Sequence, residues 1–251
     1  MSRAFELLEQ VQQDKELFRV PPVTRTRSGN GRPTNGNGTA SLPDPDGFAR
    51  EEILRLVQGL FLATNGNGQS SRRQVVFCGI DQADGSHSLC AGVARRLAEE
   101  IPLQVCFVDA NLRGPARSSE LFPSDTLPLA EGGTTHKLAR RITENLWFAS
   151  RDSAAKNGSP PTLEQVASLV KDLRDEFAYV VISAPPAGLY GDAALLGKAA
   201  DGVVLVLEAN STRRVAARKA KQTLEAANVQ ILGTVLNNRT FPIPEKIYRM
   251  L

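Results

Sequence analysis

Between residues 74 and 237, short unbroken runs of β-branched and other apolar residues alternate with stretches of helical length, and this alternation constrains the fold more than any other feature. The runs are Gln74–Gly79, Gln104–Asp109, Tyr179–Ser183, Val203–Glu208 and Gln230–Asn237; the helix-like stretches lie near 87–100, 162–176, 191–200 and 211–227. Apolar residues fill the runs continuously instead of at every second position, so both faces of each strand are expected to be covered. That pattern predicts an α/β fold: a doubly wound, mostly parallel sheet with helices on both faces. Sites in such a sheet lie beyond the carboxyl ends of the strands. No internal repeat of 20–50 residues interrupts the pattern.

The rest of the chain divides by composition. Residues 1–19 place Phe5, Leu8, Leu17 and Phe18 at roughly helical spacing and predict a short amphipathic helix. Residues 20–47 hold five Pro and five Gly among Asn, Thr and Ser, too little apolar surface to offset ordering entropy, and are expected to form a flexible linker. Its arginines, Arg25, Arg27 and Arg32, read first as solvated linker charges. A helix is expected from Phe48 to about Ala63, broken by Asn65–Ser70, and residues 48–251 form the body. With 41% apolar and 23% charged residues the chain has the profile of a soluble globular protein. No apolar run approaches the ~20 residues of a membrane span, and the N-terminus lacks a secretory signal pattern, so a cytoplasmic protein is predicted. Cys78, Cys90 and Cys106 have no CxxC spacing and read as buried thiols. A net charge of +3 allows an acidic partner without demanding one.

The loop after the first strand carries the chemistry. Val75–Cys78 runs into Gly79-Ile-Asp-Gln-Ala-Asp-Gly-Ser-His-Ser88 and then a helix, the strand–loop–helix setting in which backbone N–H groups cradle a phosphate. A working loop reads Gly-Lys-Ser/Thr at the helix start, whereas here Gly85, Ser86 and His87 are followed by Ser88. The lysine for the β- and γ-phosphates is absent, and imidazole replaces the hydroxyl that would bind Mg²⁺.

From about residue 48 to the C-terminus the chain resembles the cytoplasmic domain of bacterial tyrosine kinases (BY-kinases) that regulate capsule and exopolysaccharide synthesis, relatives of the MinD/ParA P-loop ATPases. Val105-Cys-Phe-Val-Asp-Ala-Asn-Leu-Arg-Gly-Pro115 is similar to the family's Asp-x-Asp-x-Arg strand motif. Asn145-Leu-Trp147 resembles the strand before its Pro-containing loop, and Phe177-Ala-Tyr-Val-Val-Ile-Ser-Ala-Pro-Pro186 its Walker B strand, normally ending Asp-x-Pro-Pro. Asp201–Val206, Gly233–Asn237 and the tail around Tyr248 complete the match. The resemblance implies a P-loop NTPase-like fold and a degenerate nucleotide site at Gly85, Ser86, His87, Ser88, Asp109, Asn111 and Ser183. Three of these positions, charged in the active kinases, are neutral at Ser86, Asn111 and Ser183. Losing a charge-assisted contact worth roughly 1.5–3 kcal/mol would weaken nucleotide binding by ~10–100-fold, and losing all three leaves a pocket stable when empty. The expectation is a pseudokinase with no catalytic residues, no cofactor and no metal, binding ATP and Mg²⁺ only if it is instead a weakly active kinase or ATPase.

The resemblance also implies ring contacts through a Glu-x-x-Arg-x-x-Arg helix, of which Glu52, Arg55 and Gln58 retain two positions; an ordinary solvated helix face is the equal alternative. Tyr248 stands where the family carries a phosphorylated tyrosine cluster, and by itself reads as a packing residue. His87 would ordinarily be polar loop surface, although a protonated ring at a helix start could bind an anion. His136 has no partners at metal-ligand spacing. Arg113 is expected to pair with Asp109 or another acid. Paired arginines without interleaved aromatics point only faintly to nucleic acid. The implied partners are a membrane-anchored polysaccharide chain-length regulator or an active paralogous kinase, in a homo- or hetero-oligomeric ring, with recruitment to the inner membrane face through the partner.

Overall fold

The continuous apolar runs become the interior of one seven-stranded sheet. In the computed structural model the described residues are 45–63, 72–82, 85–113, 138–155 and 161–238. In chain order they form α1 (Pro45–Val57) with a π-helical turn at Gln58–Leu62, β1 (Gln74–Gly79), α2 (Ser86–Glu100), β2 (Val105–Asp109), β3 (Arg140–Arg141), β4 (Leu146–Ser150), a 3₁₀ turn at Arg151–Ala154, α3 (Leu163–Glu176), β5 (Tyr179–Ser183), α4 (Asp192–Ala199), β6 (Val203–Glu208), α5 (Arg214–Ala226) and β7 (Ile231–Asn237). The chain divides into Met1–Leu42 and Pro43–Leu251, and every described residue lies in the second unit. The helix expected within 1–19, most of the linker expected over 20–47, His136 and Tyr248 lie outside the described residues.

The strand order is β3-β4-β2-β5-β1-β6-β7. Every neighbouring pair is parallel except the short antiparallel edge pair of β3 and β4. The doubly wound sheet predicted from the pattern is therefore present, with P-loop-type connectivity: β5 lies between β1 and β2. Successive side chains point to opposite faces. Val76, Cys78, Cys106, Val108, Val180 and Ile182 enter one core with Val166, Leu169, Leu173, Leu196 and Leu224. Val75, Phe77, Val105, Phe107 and Val181 enter the other with Phe61, Cys90, Val93 and Leu97. All three cysteines are buried free thiols; burial raises the Cys90 and Cys106 thiols well above their ordinary value.

Local chemistry explains most boundaries. α1 begins at Pro45, three residues before the helix expected from Phe48; proline is suited to a first helical position because its φ is already helical and it needs no N–H partner there. Thr162 and Gln165 close a capping box at the start of α3. Strand β4 extends the Asn145–Trp147 resemblance to Ser150. At the amino ends of the strands, Asp201 accepts from the backbone N–H groups of Arg73 (2.6 Å) and Gln74 (2.8 Å) and from Arg174 Nη2 (2.6 Å), tying β1, α3 and the start of β6 together. The fully buried Gln74 donates to the Val170 carbonyl at 2.7 Å. At the opposite, carboxyl ends stand the residues expected at the nucleotide site.

Candidate functional site

Strand order creates this site. The last residues of β2 and β5, Asp109 and Ser183, stand in register on adjacent strands, and Phe77 of β1 pairs with Ser183 on its other side. The chain leaving β1 enters α2 through Gly85, whose φ of 64° lies in the left-handed region. The backbone conformation favours glycine here; a Cβ at Gly85 would also stand 2.7 Å from Asn237 Nδ2, the end of a side chain that can swing aside.

Two residues later His87 turns inward from the first turn of α2. It is buried, correcting the expectation of a polar loop surface. Its Nδ1 and Ser183 Oγ are hydrogen-bonded at 2.9 Å, the same nitrogen is 4.0 Å from Asp109 Oδ1, and its ring lies 5.5 Å from that of Phe107. The imidazole thus lies against the ends of both β2 and β5. Both Ser183 and Asp109 face Nδ1, so this is no nucleophile–base–acid relay, which needs its serine and carboxylate on opposite ring nitrogens.

Burial holds the Asp109 carboxyl above its ordinary value, opposed by the attraction of His87, the Asn111 N–H (3.1 Å) and Arg151. Asn111 Oδ1 accepts from the Arg113 N–H at 3.0 Å, while its carbonyl accepts from Arg151 Nη1. Ser86 and Gly85 are half-buried and Ser88 is exposed. All seven expected site residues therefore stand at or just past the carboxyl ends of β2 and β5 or at the start of α2.

Arg113 does not pair with Asp109. Its guanidinium grips the buried Asp192, at the start of α4, through two bonds of 2.9 and 3.0 Å, and lies over the Tyr190 ring at 5.2 Å. Tyr190 Oη accepts from Gln82 Nε2 at 3.4 Å, so the segments after β1, β2 and β5 are tied together at one rim. Sequence reasoning did not single out Asp192, Tyr190 or Gln82. Asp192 carried one usable signal, an acid at a helix start, where the dipole favours it. Glu52, Arg55 and Gln58 are exposed on α1 and its following turn, and Arg55 pairs within the helix with Glu51 (3.6 Å) and Glu52 (2.8 Å).

Comparison with known proteins follows the same outline. No family model matches the chain. The putative tyrosine-protein kinase CapB of Staphylococcus aureus is 31% identical over 177 residues, which cover 68% of this chain and 77% of that protein. This chain belongs to the bacterial tyrosine-kinase family. The tyrosine-protein kinase YwqD of Bacillus subtilis is 27% identical over 177 residues, 66% of this chain and 73% of that protein. The match to the tyrosine-protein kinase CpsD of Streptococcus agalactiae is stronger in identity, 38%, but spans only 69 residues and 30% of that protein's length. Among solved structures, the VpsO kinase domain superposes with a TM-score of 0.60 at 22% identity, over 77% of this chain and 95% of that one. The septum site-determining protein MinD of Pyrococcus horikoshii gives 0.52 at 19%, over 71% and 76%. At these identities the structural likeness establishes the P-loop fold of the family.

Proposed function

We propose that this member of the family is catalytically degenerate and works by binding, as a regulatory partner in the synthesis and export of a capsule or exopolysaccharide. One observation carries the reading: the His87 imidazole, held by Ser183 and adjacent to Asp109, stands among the side chains that the resemblance makes the candidate magnesium ligands. Magnesium demands near-octahedral oxygen coordination and is usually held by one or two carboxylates together with substrate phosphates. Asp109 is the one carboxylate left among the three strand-end positions, and a nitrogen stands beside it. With Ser86 at the lysine position as well, these residues do not fit a magnesium–nucleotide complex. Phosphoryl transfer rests almost entirely on positioning and charge neutralisation, and this set of side chains supplies little of the second.

The partners that fit are the cytoplasmic tail of a membrane-anchored chain-length regulator, or an active paralogous kinase beside which this chain takes a ring position through Glu52, Arg55 and Gln58. A weakly ATP-binding kinase is the second reading. It is favoured by the start of α2, where Gly85 at the N-cap brings no side chain of its own to the N–H groups that follow it.

Calorimetric titration of the full chain with ATP and ADP, with and without Mg²⁺, separates the two. No binding up to millimolar nucleotide is expected; micromolar, Mg²⁺-dependent binding overturns the degenerate reading. Ser86→Lys alone is expected to leave the protein without autophosphorylation, because Asn111 and Ser183 still hold no metal. Measurable phosphotyrosine on that single variant would contradict the proposal. Co-purification with the regulator's tail or the paralogous kinase, lost on Arg55→Glu, tests the binding role.

A further inference from the structure

The most lopsided surface of the molecule is the outer face of α5, and nothing in the nucleotide site accounts for it. Between Ser211 and Gln222 the chain carries Arg213, Arg214, Arg218, Lys219 and Lys221 and no acid, a larger excess than the net +3 of the whole protein. Arg213, Arg214, Arg218 and Lys219 are exposed, and Lys221 is half-buried and paired with Glu225 at 3.3 Å. Helical spacing puts Arg214, Arg218 and Lys221 along one line, with Val215 directly beside Arg218 and Lys219 at three and four residues' separation. Val215 is 79% exposed, the most open large apolar side chain among the described residues. The opposite face of the helix is anchored: Ala220 and Leu224 are buried in the core, and Ala216 and Ala217 pack against it.

This composition works against the helix that bears it. Cations crowd the positive end of the macrodipole, the first turn holds no acid, Arg213 supplies no capping bond, and Arg214 and Arg218 are like charges four residues apart. By contrast α3 has a complete capping box and Glu164 in its first turn. A local rule broken without a local gain is expected where a surface serves recognition.

We propose that the outer face of α5 is a docking surface for an anionic lipid bilayer. Arginine and lysine heads reach the headgroup phosphates while Val215, ringed by them, enters the boundary of the acyl chains; the alanine and leucine face stays on the protein core, so the helix lies on the bilayer and does not cross it. Charge complementarity alone would also suit nucleic acid, but no aromatic residue lies between Ala209 and Ala227 to stack on bases. An exposed valine at the centre of the cations gains nothing from a phosphate backbone and gains burial from lipid.

The test is sedimentation of the full chain with mixed phosphatidylglycerol–phosphatidylcholine vesicles, with pure phosphatidylcholine vesicles and with duplex DNA, at low and physiological salt. Binding to the mixed vesicles alone is expected, weakening as salt rises. At about fivefold per cation, Arg214→Gln/Arg218→Gln/Lys219→Gln lowers vesicle affinity about 100-fold. The charge-matched variant Arg50→Gln/Arg95→Gln/Lys171→Gln, on α1, α2 and α3, binds as the parent does. Val215→Ser weakens vesicle binding severalfold at unchanged charge, and Arg214→Lys/Arg218→Lys retains it, which separates lost recognition from lost folding. Absence of vesicle binding, equal loss in the two charge-matched variants, or tighter binding to DNA that ignores Val215→Ser would each overturn the proposal.

Discussion

Asp201 and Asp109 are both shielded carboxyls, yet their surroundings push them in opposite directions. Burial raises Asp201, but the Gln74 and Arg73 N–H groups and Arg174 outweigh it, so its pKa lies below the ordinary value. It therefore adds stability at neutral pH that is lost as pH falls through the ordinary aspartate range and then through its own lower value. Asp201→Asn is expected to destabilise the fold by about 2 kcal/mol at neutral pH, as a charged partner is lost from three donors. That difference should shrink as urea unfolding is repeated at falling pH, because the parent's carboxylate then protonates too; a constant difference would contradict the assignment. For Asp109 burial prevails and the pKa is raised, so the folded state holds its proton longer than the unfolded chain. Stability falls as pH climbs from the ordinary value to the raised one. Asp109→Asn is accordingly expected to be at least as stable as the parent at neutral pH and to lose that advantage in acid, read by the same titration. Neither direction could be taken from the sequence, where both are single acids at the edge of an apolar run. What separates them is the donors that other strands and helices bring.

Among the elements, helix starts show how far local sequence reaches. The Thr162–Gln165 box lies within four residues and is visible in the chain itself; Thr162→Ala should cost about 1 kcal/mol in thermal or urea unfolding. The start of α2 is different. Gly85 reads as part of a phosphate loop, but its left-handed φ and the nearness of the Asn237 side chain of β7, far away in the chain, come from the fold. Gly85→Ala should therefore cost the roughly 1–2 kcal/mol of a left-handed non-glycine residue, with little recovered by adding Asn237→Ala, whose side-chain end can swing aside. An unchanged midpoint in the single variant would show that the left-handed φ imposes no such cost. The segment from Ala187 to Asp192 depends on Arg113, whose two bonds to Asp192 need the planar fork of a guanidinium. Arg113→Lys is expected to speed amide hydrogen exchange across 188–192 while leaving β1 and β5 protected. Uniform exchange rates in parent and variant would count against the tie.

At the scale of the whole molecule, two cores share one sheet, so neither can come apart while the other persists. Phe107 is fully buried on β2 and touches His87 and Phe148, joining the candidate site to one of those cores. Phe107→Ala should cost about 3–5 kcal/mol, the usual loss for a buried phenylalanine, and lower the urea midpoint in a single transition. Two separated transitions would mean that the faces of the sheet are energetically independent.

The sequence by itself determined five of the seven strands and the helices among the described residues, because continuous β-branched runs, helical spacing and caps act over a few residues; the short edge strand β3 carried no such run, and β4 was legible only through the family resemblance. It also supplied the neutral residues Ser86, Asn111 and Ser183 on which the proposal of a degenerate site rests, since identities need no coordinates. Only the tertiary structure decided how the remaining polar residues pair: His87 with Ser183, Arg113 with Asp192 instead of Asp109, and Asp201 with the backbone before β1. Those pairs join residues 79 to 128 positions apart. The first two exist because β5 inserts between β1 and β2 and the third because β6 lies on the other side of β1, and the order of strands in a sheet is set by how whole faces are buried together, a property that no short window of sequence contains.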